Sequence, residues 1–174
     1  MGVACLLGVL AAAALAAGGS RPAAGRQPLV ALSALEHRVL ADINAYRELH
    51  HLRPLRLSTA LTAAARQHSD EMALDGYFAH TSVNGAAFWR RVQRYYPSTS
   101  RHVWSVGENL LWSSPNVSAA HALQLWIASP EHRKNLLTAS WREIGISAVH
   151  VVHALGPYHG LDVTIVTTDF GVRR

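Results

Sequence analysis

Cysteine is almost absent from this chain of 174 residues. The single cysteine, Cys5, lies in the first apolar stretch, which we expect to be removed from the mature protein. The remaining chain therefore has neither a disulfide bond nor a thiolate that could bind a metal ion. About 150 residues are enough for one domain that is stabilised by its hydrophobic core alone. The hydrophobic content of 49% also fits a globular protein and not a disordered one.

The common catalytic signatures are absent as well. The sequence contains neither the H-E-x-x-H signature of zinc proteases nor the G-x-S-x-G turn that carries a nucleophilic serine. The tripeptide DFG at Asp169–Gly171 matches a kinase motif. The chain is too short for a kinase, however, and no glycine-rich loop precedes the tripeptide. We interpret this match as a coincidence.

Lysine is nearly missing too, because Lys134 is the only one and arginine supplies the remaining positive charge. The net charge is +5 and the pI is about 10.0. A basic exported protein can associate with an anionic cell surface, which is the macromolecular partner that we expect. The arginines are scattered except in "FWRRVQR" at residues 88–94, which we interpret as a solvated helix face. No basic helix or aromatic–basic module is present, so we expect no nucleic-acid partner.

The first residues are typical of a secretory signal peptide. "MGVACLLGVLAAAALAAGGS" is an apolar run that ends in small residues, with Ala14–Ala16 as a candidate cleavage site. We therefore predict a signal peptide over residues 1–17, a linker over 18–28 and one domain over 29–174. The protein is then secreted and extracellular. An uncleaved membrane anchor is the alternative, although the run is slightly short to span a bilayer.

Hydrophobic spacing predicts three longer helices, near residues 29–51, 58–75 and 116–128. Ser58 is a favoured N-cap for the second of them, and Gly76 is suited to end it. Two runs with alternating apolar residues follow at 144–153 and 161–170, and they predict an antiparallel hairpin. Helices packed on a small antiparallel sheet make an α+β layered domain.

Three polar residues fit poorly with a purely structural role. His80 follows aromatic residues that should enter the core ("YFAH"), and Glu108 has apolar residues on both sides ("WSVGENLLW"). A carboxylate in such a setting is unfavourable unless it is paired or bound to a metal. His132 is the third residue of a helix that "SPEHRKNLL" predicts, with Ser129 as its N-cap and Pro130 as its first residue. Free backbone N–H groups and the helix dipole there should keep the imidazole neutral.

These three residues leave alternatives open. Two neutral imidazoles and a carboxylate could form a divalent metal site. They could equally form a general acid–base pair, or each could make only a local hydrogen bond. His68 differs from them, because it lies on the apolar stripe of a helix. We expect it to be a hydrogen-bonded histidine of the core.

Six segments carry a family resemblance: "LADINAYRELHHLRPLRLSTALTAAARQHSDEMA", "YFAH", "GENL", "LQLWIASPEHRKNLL", "EIGI" and the terminal "TDFG". Their order and spacing resemble the CAP superfamily of SCP-like proteins. That superfamily includes cysteine-rich secretory proteins, venom antigens and plant pathogenesis-related proteins. The resemblance extends from Leu32 to Gly171. The form W-x-x-S-P-x-H-R-x-N-L-L and the lack of cysteines resemble the bacterial branch.

The resemblance implies an α-β-α sandwich with a cavity lined by four polar residues. In the family these are two histidines and two acidic residues, and the cavity can hold zinc or another divalent ion. His80, Glu108 and His132 match three of the positions, so the resemblance implies His80 and His132 as metal ligands. The fourth position, acidic in many members, falls on Ser129. This departure puts a mechanism with two carboxylates in doubt.

The resemblance is more informative about the fold than about the function. We expect a secreted, monomeric binding module that holds a lipid, glycan or peptide in a groove. One alternative is a metal-assisted hydrolase that acts on peptide or cell-wall substrates. Another is a structural adhesion domain. The serine at position 129 and the absence of a catalytic signature favour the binding module.

Overall fold

A computed structural model of the chain describes residues 33–98 and 103–173. The predicted signal peptide and linker, residues 1–28, lie outside the described residues, as does the start of the first predicted helix. Within the described residues the chain forms five α-helices, one 3₁₀ turn and a four-stranded sheet. In chain order the elements are α1 (Ala34–Leu49), β1 (Arg56–Leu57), α2 (Thr59–Asp75), α3 (Phe88–Tyr95), β2 (Trp104–Ser113), α4 (Ala119–Ala128), α5 (Pro130–Leu136), β3 (Glu143–Val151), the 3₁₀ turn (Gly156–Tyr158) and β4 (Val163–Arg173).

The long helices begin and end at residues with capping chemistry. Ser33 closes a capping box at the start of α1, and the side chain of Ser58 caps α2. Gly76 ends α2 in the left-handed conformation, with φ of 63°. The helix predicted over 116–128 begins slightly later, because Ser118 is the residue that caps α4.

The sheet has the strand order β1-β3-β4-β2. β3 and β4 pair antiparallel, with Ile144 opposite Phe170, so the predicted hairpin is confirmed. β2 pairs antiparallel with the other side of β4, and this register sets Glu108 opposite Asp169. The two-residue strand β1 runs parallel to β3. β1 and β2 are therefore the edge strands.

Helices cover both faces of the sheet, which makes the α-β-α sandwich. On one face Met72 of α2 packs in a cluster with Ile165 of β4. On the opposite face Ile43 of α1 packs in a cluster with Trp126 of α4 and Phe170 of β4. Both faces of β4 are consequently buried. None of the helices in the described ranges is long and apolar enough to cross a bilayer.

Candidate functional site

A cavity of about 420 Å³ opens between the loop after α2, the strand β2 and the helix α5. Three of the four predicted site residues, one from each of these segments, line it. Ser129 is not among the lining residues. The lining residues are His80, Phe88, Val106, Gly107, Glu108, Glu131, His132, Lys134 and Asn135.

The loop that carries His80 is held from two directions. His68, fully buried on α2, donates through Nε2 to the carbonyl of Ala79 at 2.9 Å. The Tyr158 hydroxyl donates to the carbonyl of Tyr77 at 2.7 Å. The prediction that His68 is a hydrogen-bonded histidine of the core is confirmed. Its function is to fix the loop that presents His80.

Two asparagines attach α5 to β2 and thereby position His132. The Asn109 amide donates to the carbonyl of His132 at 3.0 Å. The Asn135 amide donates to the carbonyl of Glu108 at 3.0 Å and to the side-chain oxygen of Asn109 at 2.9 Å. His132 and Glu108 are therefore held across the cavity by a continuous network.

The Glu108 carboxylate is buried and accepts hydrogen bonds on both oxygens. Its Oε1 lies 2.8 Å from Nδ1 of His80, and its Oε2 accepts from the Arg91 guanidinium. Because an ionised carboxylate can only accept, the first bond places the His80 proton on Nδ1. Nε2 of His80 then keeps its lone pair, as a ligand or a base needs.

Arg91 corrects the prediction that "FWRRVQR" is a solvated helix face. The Arg91 side chain is fully buried, and of the three arginines in this segment only Arg90 and Arg94 are exposed. Position 91 lies on the same side of the short helix α3 as the buried Val92. Burial of a guanidinium is tolerated here because it pairs with Glu108.

Asp169 is the residue that the sequence interpretation missed. It faces Glu108 across the β2–β4 pair and is completely buried. In the described part of the chain no donor reaches either of its carboxyl oxygens. Burial, followed by the negative charge of Glu108, raises the pKa of Asp169 well above its usual range. As a neutral acid Asp169 can donate to Glu108, which satisfies a group that would otherwise be costly to bury.

Glu108 experiences the same burial but has a cation beside it. Burial raises the pKa of Glu108 to about 7, although Arg91 acts to lower it. Two carboxyls and one guanidinium therefore share the interior, and one proton on the carboxyl pair leaves the cluster neutral. Glu108 was identified because it is a charged residue within an apolar run. Asp169 has the same pattern within "VTIVTTDFGV" and could have been identified in the same way.

Both cavity histidines favour the neutral form. Burial and then the Arg91 charge lower the pKa of His80. Burial and then the proximity of His80 lower the pKa of His132, with Glu131 opposing. The neutral state agrees with the expectation for His132, but the leading cause is burial. Ser129 joins α4 to α5, and its side chain makes no capping hydrogen bond.

Comparison with known proteins settles the family. The Cysteine-rich secretory protein family (CAP) matches residues 40–155, about two thirds of the chain. The chain belongs to the CAP family.

Individual relatives of this CAP domain are distant. The uncharacterized protein YkwD of Bacillus subtilis (strain 168) is 28% identical over 118 residues, which cover 68% of this chain and 44% of YkwD. An extracellular protein containing a SCP domain from Bacillus anthracis str. Ames has a TM-score of 0.61 and 26% identity, over 80% of this chain and 40% of that one. An outer surface protein from Borrelia burgdorferi has a TM-score of 0.62 and 19% identity, over 78% of this chain and 90% of that one, and shows the shared fold. The chain thus spans less than half of YkwD.

The donor set of the CAP domain limits the chemistry of the cavity. In the ranges that the structure describes, no three His, Cys, Asp or Glu side chains are grouped so that they could hold one metal ion. Besides Glu108, the potential donors in the cavity lining are the two neutral imidazoles and the exposed carboxylate of Glu131. Glu108 is occupied by His80 and Arg91, so it orients His80 instead of presenting a free oxygen.

Proposed function

We propose that this CAP domain is an extracellular binding module whose cavity holds a divalent cation, most naturally zinc, beside the groove that takes its ligand. One observation carries the proposal: His80, Glu108 and His132 come from three separate segments and line one cavity of about 420 Å³. The names of the family and of the Bacillus anthracis relative, secretory and extracellular, support the location. The net charge of +5 suits an anionic cell surface.

His80 and His132 are the residues that would hold the ion. A divalent cation needs imidazoles that are neutral at physiological pH, and the lowered pKa values of both residues meet this requirement. The bond from Nδ1 of His80 to Glu108 is the carboxylate–histidine arrangement that orients a ligating imidazole. When bound, the ion would supply Lewis acidity in the cavity. With two protein donors, water or the ligand would complete its coordination shell.

The hydrolase alternative receives less support from the geometry. A hydrolase of this kind needs a free carboxylate that takes a proton from water. Both oxygens of Glu108 already accept hydrogen bonds, and Asp169 is completely enclosed. Glu131, the other carboxylate of the cavity lining, is exposed, and no side chain of the described ranges holds it in a fixed orientation. Ser129 brings no second carboxylate to the cavity. Binding is therefore the function that the site supports best.

Calorimetric titration of the full chain with zinc tests the proposal. We expect binding at about pH 7.5 and its loss towards about pH 5 or below, because protons compete for the same nitrogen lone pairs. His80→Ala and His132→Ala should each weaken binding. His121→Ala removes an exposed histidine on α4, outside the cavity, and serves as the matched control. Zinc affinity that is unchanged in both cavity variants would refute the proposed ligands.

A further inference from the structure

The outer edge of β2 presents backbone groups that point away from the sheet. At the other side of β4, the N–H of Arg142 donates to the carbonyl of Gly171 at 3.0 Å, so Gly171 turns its backbone towards β3. Val106 is the register partner of Gly171 on β2. Backbone direction alternates along a strand, so Val106 turns its N–H and C=O outward, as do Trp104, Glu108 and Leu110.

Side chains cover only one half of this edge. The Asn135 amide donates to the carbonyl of Glu108 at 3.0 Å, and the Trp126 indole donates to the carbonyl of Leu110 at 3.1 Å. At Trp104 and Val106, by contrast, no residue of the described ranges bonds to the outward backbone groups. We call the stretch 104–106 the open edge. It lies directly beside the cavity, because Val106 also lines the cavity.

The open edge lacks the features that usually prevent strand pairing. Natural edge strands carry charged residues, prolines or bulges that keep other chains away. The sequence here is Trp104, Ser105 and Val106, with neither charge nor proline, and Ser105 is exposed. Unpaired N–H and C=O groups on such an edge are complementary to an extended peptide backbone. Neither an acyl chain nor a sugar repeats donors and acceptors at that spacing.

We propose that the ligand of this domain is an extended peptide that pairs with the open edge as an added antiparallel or parallel strand. This inference rests on the proposed binding function and names the class of its ligand. Strand pairing stops at Glu108, where α5 covers the edge, so the peptide leaves the strand at the cavity. The cavity then receives the next part of the peptide, with the aromatic ring of Phe88 and the imidazoles of His80 and His132 around it.

The first experiment selects a random phage-displayed peptide library on the immobilised full chain. A selected peptide is synthesised together with analogues that are methylated at one backbone nitrogen each. Strand addition predicts that two analogues, methylated at nitrogens two residues apart, lose roughly tenfold in affinity. The open edge has outward carbonyls at Trp104 and Val106, and the peptide nitrogen between these two positions points away from β2. Failure to select any binding peptide, or losses without this alternation, would overturn the proposal.

Two variants at position 106 test the edge itself. Val106→Pro removes the outward N–H and should weaken the selected peptide roughly tenfold, whereas the control Val106→Ala keeps the N–H and should bind. If Val106→Pro does not fold, amide exchange in the unaltered chain answers the same question. Bound peptide should protect the Val106 amide, while Ser105 and Gly107, already bonded to β4, should change little. Equal binding by both variants, or no protection at Val106, contradicts strand addition.

Zinc titration of the same proteins separates this inference from the proposed function. Zinc binding without peptide pairing overturns strand addition alone. Peptide pairing without zinc binding overturns the metal site alone.

Discussion

Arg91, Glu108 and Asp169 form a buried group of one cation and two carboxyls behind His80. If both carboxyls were ionised, the interior would hold an excess negative charge, and Asp169 would face Glu108 without a donor. A proton on Asp169 removes both problems, because the acid then donates to Glu108 while Arg91 balances the remaining charge. The cluster thus keeps Glu108 in place as the hydrogen-bond acceptor of His80.

Substitutions in this cluster should lower the free energy of unfolding by very different amounts. Asp169→Asn reproduces a neutral donor of similar shape, so the free energy of unfolding at pH 7 should change by less than about 1 kcal/mol. Arg91→Met leaves the buried Glu108 carboxylate without its cation and should lower that free energy by about 3–5 kcal/mol. Urea unfolding of both variants measures the contrast. An Asp169→Asn variant as unstable as Arg91→Met would mean that Asp169 is ionised in the native protein.

His68 should make the fold sensitive to acid. Burial, reinforced by the Arg91 charge, lowers the pKa of His68 from 6.5 to about 3. Between pH 6.5 and about pH 3, His68 is therefore protonated in the unfolded chain but neutral in the native protein. The free energy of unfolding consequently falls as the pH falls through 6.5 towards 3. From pH 7 to pH 5 this amounts to about 2 kcal/mol.

A comparison of the unaltered chain with His68→Gln isolates the contribution of His68 to the pH dependence of stability. The raised pKa of Glu108 acts in the opposite sense, lowering stability as the pH rises through its range, but it is common to every protein compared. Urea unfolding at both pH values should show a smaller loss on acidification in His68→Gln than in the unaltered chain. His121→Gln, at an exposed position, should behave like the unaltered chain. An identical acid dependence in all three proteins would show that His68 is protonated in the fold.

Individual site residues were predictable where they contrasted with their surroundings. His80 and Glu108 follow or interrupt apolar segments, and His132 follows a helix-start signature. Asp169 interrupts an apolar run in the same way, but its pairing with Glu108 depends on the β2–β4 register. Arg91 was misread because a short helix of mixed composition does not indicate which arginine turns inward. Arg91 is the arginine that turns inward because Glu108 lies beneath α3.

At the scale of elements, capping residues were the most informative feature of the sequence. Ser58 and Gly76 bound α2 as predicted, since each satisfies backbone groups locally. The sequence pattern predicts no strand over β2, because the inner residues of β2 are buried on both faces and therefore do not alternate. β1 has two residues and pairs with a distant strand, so no local pattern could indicate it.

The close approach of α2 to β3 depends on Gly145. A Cβ added to Gly145 would lie 2.0 Å from the backbone carbon of Leu61. Gly145→Ala should therefore push α2 away from the sheet and lower the free energy of unfolding by about 3 kcal/mol. Gly85→Ala is the control, because its added Cβ meets nothing within 4 Å and its positive φ of 78° costs only about 1 kcal/mol. Equal losses in thermal or urea unfolding would mean that α2 moves without penalty.

At the scale of the whole molecule, the layered fold follows from the order of helices and alternating strands. The absence of cysteine outside the first residues required a domain held by its core. Within the described ranges, fifteen buried residues of α1, α4, α5, the sheet and the loops between them form the largest hydrophobic cluster. The association with an anionic surface and the expected monomer remain predictions. The strand order could not be derived from the sequence, because β4 lies between β3 and the earlier strand β2.

Export is a prediction about the whole chain. The apolar run with small residues at its end should be removed during secretion, leaving an N-terminus between Ala17 and Gly25. N-terminal sequencing of the protein recovered from the culture medium of the source organism measures this directly. A chain that retains Met1 and stays inside the cell would contradict it.

Anomalous diffraction at the zinc absorption edge, from zinc-soaked crystals of the protein, tests directly whether the two cavity histidines bind a metal ion. One peak is expected in the cavity, bonded to ring nitrogens of both His80 and His132, and it should disappear in His132→Ala crystals soaked in the same way. A cavity without anomalous density at saturating zinc, or a peak that touches neither histidine, would refute His80 and His132 as zinc ligands.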